Sequence, residues 1–530
     1  MDNNNFVRYI FAFVVLLIIG YTGYKLIKNN SNVEDISLDQ TSTVSNIQTD
    51  LRLAIAEMDT INPILSHNRN VQEITKIIYD PLVSLNENYK IEKCLADEIA
   101  RTDDVTYIIK LKKGILWSDR SEFSAEDVKY TIDLICSDNG INSIYYENLK
   151  YISSLEIIDD STIKIILSKP VPFFEYNLTF PIMSSNYYIG EDFGLSNKIP
   201  IGTGMFKIVD LQSNIIKLEK NEYYWNTNRI PMVNEININL YGSIGEVYNA
   251  FKSGDIDIVT VKISNIQDYI GTLGYNKIEY KYRDYDFLSF NTSSDILSER
   301  SVRKALSLII DKNNIIASCL GSGYVPSNFS LDMGNWLYTK DLNIDVDTEQ
   351  AKQILISDGW TYTRNTWQKN IDGRTKILEF KISVNSSNDK RVAVAQNIKE
   401  QLLNFGIPVH IIELSSDNYV NAINNRNYEC ILTGIEVGFS PNLTTFFGDN
   451  NLANYYNEEV FEIMNAVINS VDENLLYEKY NRLYDIYLEE APYVGLYRNT
   501  NVLICNQGLV GNIKPNSFNV YHNIEKWYRQ

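Results

Sequence analysis

A chain of 530 residues is too long to fold around one hydrophobic core, so two or three domains are expected. Its 44% hydrophobic and 22% charged residues are the composition of a folded protein and exclude a disordered one. Its 67 acidic side chains outnumber its 48 basic ones for a net charge of −19, the wrong sign for collecting phosphates, so nucleic acid is excluded as a partner.

In chain order, the first feature is the uncharged apolar run Tyr9–Tyr24, flanked by Arg8, Lys25 and Lys28. Adding Phe6, Val7, Leu26 and Ile27 gives it the ~20 residues that a membrane span needs. No small-residue cleavage site follows it before Asp50, and the first cysteine, Cys94, comes too late for a lipid attachment. Residues 1–28 are therefore expected to form an uncleaved signal anchor, a single transmembrane helix. The flanking charges are close to parity and do not set its orientation. Residues 29–48, rich in Asn, Ser, Asp and Thr and without periodicity, read as a polar tether.

From Leu51 the pattern is strand-like, and a turn follows at Asn62-Pro63. Glu73 to Leu85 predicts a helix entering a short strand, and Val105 to Leu111 a strand. Phe123 to Ile135 reads as a helix, with Ser124 and Asp127 spaced as a capping box. Asp159-Asp160-Ser161 between two apolar runs signals a hairpin. The middle third is mostly short strands (MFKIV, IIKLE, INLY, IDIV), after which Val302, Ala305, Leu306 and Ile309 repeat at helical spacing. Leu378 to Val384 alternates as a strand. Arg391 to Phe405 carries Val394, Ala395, Ile398 and Leu402 on one helical face, and Gly406 stops it before a second strand, Ile407 to Ile412. Strand, helix and strand with short links predict a parallel βαβ unit. Two long helices are expected at Glu458 to Asn469 and Asn474 to Leu488.

Catalytic chemistry finds no support. Ser301-Val302-Arg303-Lys304 matches S-x-x-K and Ser137-Asp138-Asn139 matches S-D-N, but no K-T-G completes an acyl-transferase set. Three histidines and five scattered cysteines without a C-x-x-C build neither a metal cage nor a disulfide framework. There is no phosphate-binding loop. No catalytic residue, metal ligand or cofactor is expected, and the chain does not read as an enzyme.

Five ordered segments carry a family resemblance. Ile78 to Ile135 contains YDPL, LKKGILWSD and AEDV; next come IGTGMFKIVD with NEYYW, then KSGDIDIV, then LSFNTSSDILSERSVRKALSLIID, then NFGIPVHI. In this order they resemble the solute-binding proteins of ABC importers in the oligopeptide, dipeptide and nickel class, bacterial solute-binding protein family 5. The resemblance implies an α/β, two-lobed periplasmic-binding-protein-like fold of the hinge-closing class II with an extra subdomain, here preceded by one N-terminal transmembrane anchor helix. It implies a first lobe from residues 49–70, 186–285 and 491–530, an inserted subdomain over 71–185, and a second lobe over 286–490. Hinges are expected near Tyr285–Phe287 and Glu490–Tyr493.

The function implied is a membrane-anchored extracytoplasmic receptor, monomeric, that captures small peptides by hinge closure and delivers them to the permease subunits of an ABC importer. Alternatives are the same fold binding a nickel chelate or a sugar, or a ligand sensor without transport. The family's binding stretch falls on Gly434, Ile435, Glu436, Val437, Gly438 and Phe439. The aspartate that would hold a peptide's amino terminus is replaced near Gly438, which leaves Glu436 as the nearest acid. The first loop of lobe I adds Leu65 and Ser66.

Overall fold

The structure is a computed structural model that describes residues 50–138, 140–189, 198–262, 274–331, 334–340 and 344–530. The apolar segment Tyr9–Tyr24 and the tether lie outside the described residues. Among the described residues, no helix is long and apolar enough to cross a membrane.

Strand β1 (Asp50–Ala56) places Leu51, Leu53 and Ile55 on one face, all fully buried. Helix α1 (Arg69–Ile78) starts at Asn68, whose side chain accepts from the N–H groups of Asn70 and Val71. It buries Val71, Ile74, Ile77 and Ile78 against β1. Strands β2 (Ala96–Arg101) and β3 (Thr106–Leu111), helix α2 (Ala125–Cys136) and the hairpin β4 (Ile152–Asp159) and β5 (Thr162–Leu167) follow. The capping box at Ser124 and Asp127 is formed. These strands make one antiparallel sheet in the order β2-β3-β5-β4, covered by α2 around Trp117, Val128 and Ile132.

Strands β6 (Phe206–Leu211), β7 (Ile215–Lys220) and β8 (Glu235–Tyr241) then join β1 in a sheet of order β1-β8-β7-β6, with β1 parallel to β8. Next come β9 (Ile258–Lys262), the long β10 (Tyr275–Phe290), α3 (Arg300–Ile309) and the short β11 (Tyr324–Pro326). The expected βαβ unit is present as β12 (Phe380–Asn385), α4 (Asp389–Asn404) and β13 (Val409–Leu414), paired in parallel. Gly406, at φ +90°, turns the chain where α4 ends. Helix α5 (Ser416–Asn425), β14 (Cys430–Glu436), α6 (Glu458–Ile468), α7 (Glu473–Glu490) and β15 (Tyr493–Asn506) complete the set used here. One sheet runs β9-β15-β10-β14-β12-β13, with β11 added on β15.

Strands β10 and β15 are the spine. Toward one end Ile278, Tyr280, Leu503 and Cys505 pack with β1, α1 and Trp527. Toward the other, Tyr285, Phe287, Leu288, Tyr493, Val494 and Leu496 pack with α3, α4, α6 and α7. Their pairing is irregular between these regions. Lys281 faces Thr500 and Tyr285 faces Arg498, so Tyr282, Arg283 and Asp284 stand opposite Asn499 alone. A second shift skips Leu496. The interruption thus falls at 282–284 and 496, and Tyr493 is buried in the second core.

Helix α1 belongs with β1, whereas Ile64, Ile182, Met183 and Ile201 pack with α2. The α2 region meets the second core directly. Trp336 donates its indole N–H to the Tyr176 hydroxyl at 2.9 Å, Arg101 donates to the carbonyl of Ile468 at 2.8 Å, and Lys90 pairs with Glu473 at 2.7 Å.

Candidate functional site

Strand β12 has a parallel neighbour on each side. The chain leaves it through α4 to β13, then returns through α5 to β14 on the opposite side. The direction of winding therefore reverses between β12 and β14, and a crevice opens at their carboxyl ends. That crevice is a cavity of about 250 Å³. The start of α4 supplies Asn388, Lys390 and Arg391, the end of β14 supplies Gly434, Ile435 and Glu436, and the spine supplies Asp284, Asp286, Tyr497 and Asn499.

Its floor is a fixed charge network. The Arg391 guanidinium donates to both oxygens of Asp286, at 2.9 and 2.8 Å, and the Tyr497 hydroxyl donates to the same carboxylate at 2.8 Å. Burial alone would lower the pKa of Arg391, but the hydrogen bonds and charge of Asp286 outweigh it and hold that pKa above its ordinary value. A Cβ at Gly434 would lie 1.8 Å from Asp286 Oδ1 and 2.2 Å from Arg391 Nη2. Glycine is required here so that the pair can lie against the β14 backbone.

The walls are less committed. Lys390 donates to the Tyr324 hydroxyl at 3.1 Å and otherwise faces water. Asn499 donates from Nδ2 to Asp284 at 2.9 Å, while its buried Oδ1 has no hydrogen-bond partner among the described residues. Glu436, half-exposed, pairs with Arg283 from the irregular stretch of β10. Burial lowers the pKa of Arg283, against the opposing pull of Glu436.

The predicted binding residues divide into groups. Gly434, Ile435 and Glu436 line the cavity. Val437 still pairs with the spine, its N–H donating to the Arg283 carbonyl at 2.9 Å. Gly438 is exposed, and Phe439 reaches away from the cavity. The Phe439 ring lies 4.2 Å from the Arg283 guanidinium, stacks on Tyr89 at 6.1 Å and meets Phe518 edge-on at 4.9 Å. Leu65 and Ser66 are not among the residues lining the cavity. Ser66 is fully buried and its hydroxyl donates to Asp59 at 2.6 Å, so it holds its own loop together. Asp284, Asp286, Lys390, Arg391 and Tyr497 were not anticipated. Their one signal was the predicted βαβ unit, whose switch point collects them.

Comparison with known proteins agrees with this architecture. Residues 90–455 match the family described as bacterial extracellular solute-binding proteins, family 5. The oligopeptide-binding protein AppA of Bacillus subtilis (strain 168) is 25% identical over 507 residues, covering 90% of each chain. The periplasmic murein peptide-binding protein MppA of Escherichia coli (strain K12) is 22% identical over 486 residues, covering 83% of this chain and 85% of its own. The solved nickel ABC transporter structure from Bacillus halodurans superposes with a TM-score of 0.74 at 20% identity, covering 88% of this chain and 97% of its own, a likeness of fold. The mixed sheets, the crevice at the switch point and the family match over most of the chain agree that this protein belongs to the bacterial extracellular solute-binding proteins of family 5.

Proposed function

We propose that this protein captures peptides between two lobes outside the cytoplasmic membrane and passes them, chemically unchanged, to the permease of an ABC importer. The first lobe is built on β1, β6–β8 and the outer parts of the spine, with the α2 region inserted in it. The second is built on β12–β14 and helices α3, α4, α6 and α7. The irregular stretch at 282–284 and 496 is the hinge, because strand pairing there is already broken and bending costs few hydrogen bonds. Tyr9–Tyr24 anchors the chain in the membrane.

The observation that carries this reading is the cavity at the switch point, beside the hinge, with charges of both signs on its walls. Lys390 suits a carboxylate, while Glu436 and Asp284 suit an ammonium. Polar side chains such as Asn388 at the start of α4 suit a main chain. Such a site binds a zwitterionic chain without reading each side chain. Relatives named as peptide-binding proteins cover 83% and 90% of this chain, in support.

Mass spectrometry of material released from the full-length protein purified from membranes tests the proposal. Peptides of mixed sequence are expected. A single non-peptide compound, or a metal chelate at unit stoichiometry, would refute it. Alkaline carbonate washing separately tests the anchor: the chain is expected to stay with the membrane, and its release would contradict anchoring.

A further inference from the structure

We infer that the ligand presents an ammonium and a carboxylate close together at one end, as a peptide with an acidic first residue does; this rests on the peptide reading above. The acids of the cavity are unequally available. Asp286 is held by Arg391 and Tyr497, and Asp284 accepts from Asn499. Glu436 remains, half-exposed at the rim, but it is the acid that compensates Arg283.

Arg283 is poorly placed to lose that partner. Its side chain is 26% exposed, Phe439 covers one face, and its buried Nε–H has no acceptor among the described residues. Other cations lie near. Arg69 stacks over Tyr282, the residue before Arg283, at 4.3 Å and pairs with no carboxylate among the described residues. Lys76 sits 4.9 Å from the ring of Phe518, which packs on Phe439. Three cations are thus mounted on aromatic rings, and the carboxylates among them are Glu73, Glu436 and Asp284, the last accepting from Asn499. Glu73 is committed to Lys76 at 3.0 Å and to the N–H of Val520 at 2.9 Å.

An incoming ammonium that takes Glu436 strips Arg283 of its compensation and leaves a largely buried guanidinium charge unpaired, which opposes binding. A ligand that also brings a carboxylate exchanges one internal ion pair for two with the ligand. The carboxylate would accept from Arg283, including the idle Nε–H, and would also relieve the repulsion between Arg283 and Arg69. The rings exclude water from the new pair and strengthen it.

The test is calorimetric titration of the full-length protein with the tripeptides Glu-Ala-Ala and Ala-Ala-Ala. Glu-Ala-Ala is expected to bind at least tenfold tighter. In Arg283→Gln, with Glu436 set free, Ala-Ala-Ala is expected to bind at least threefold tighter than in wild type, and the preference for Glu-Ala-Ala to disappear. Arg69→Gln, a change at the start of a helix, is expected to shrink the preference at least threefold and serves if Arg283→Gln fails to fold. Equal wild-type affinities for the two peptides would overturn the inference while leaving peptide capture intact, as would an undiminished preference in the variants. Binding of neither peptide would overturn the peptide reading, and this inference with it.

Discussion

Gly434 shows how one missing Cβ can hold a site together. An added methyl would collide with both partners of the Asp286–Arg391 pair, and the chain cannot release a largely buried ion pair cheaply. Gly434→Ala is expected to lower stability by about 3 kcal/mol, read from urea unfolding. Glu436 tests binding instead of folding: Glu436→Gln is expected to weaken a free-amine peptide at least tenfold, about 1.4 kcal/mol, with N-acetylated peptides much less affected. Lys312 offers a test by pH. Burial removes water from its ammonium, which meets no acceptor among the described residues, and brings its pKa down to about 8 from an ordinary 10.5. Between these values the unfolded chain holds the proton more tightly, so this residue's penalty is full below pH 8 and fades as pH climbs toward 10.5. Lys312→Met is expected to stabilise the protein by about 2 kcal/mol at pH 7, and by much less above pH 10, in thermal unfolding at both pH values.

At the scale of elements, β12-α4-β13 was legible because its periods are clean and Gly406 marks its stop. The capping box of α2 was legible for the same local reason. Strands β10 and β15 were not. In β10 the alternation is broken by the extra residues 282–284, and charged residues such as Asp286 are spent on ion pairs inside the sheet. In β15, Tyr493 to Arg498 is buried on both faces, so no alternation appears. The candidate site divides along the same line. Gly434 to Glu436 could be placed by motif, whereas Asp286, Lys390, Arg391 and Tyr497 come together only through pairing between distant strands. Ser66 was placed by loop position, which could not reveal that its hydroxyl serves Asp59. Hydrogen exchange probes the spine. Amides of Phe287–Phe290, hemmed by β14 and β15, are expected to be protected to the limit of global unfolding, while those of 282–284 exchange by local opening and slow when peptide binds. Uniform protection along β10 would contradict a hinge at that place.

For the whole molecule, the account is mechanical. Two cores share one continuous sheet, and the strands that join them are weakest where the charged cavity lies. Contacts away from the spine, such as Phe439 on Phe518, Trp336 on Tyr176 and Arg101 on Ile468, are polar or single-ring contacts of the kind that can part and re-form. A ligand favours closure only by touching both sides more fully in the closed state than in the open one, which Glu436 on β14 and Arg69 on α1, beside Arg283 at the hinge, can provide together. Small-angle X-ray scattering on the full-length protein in detergent, with the detergent contribution matched out, tests this most directly. The account predicts that saturating Glu-Ala-Ala reduces the radius of gyration of the ligand-stripped protein. A scattering profile unchanged when titration shows the peptide bound would contradict it.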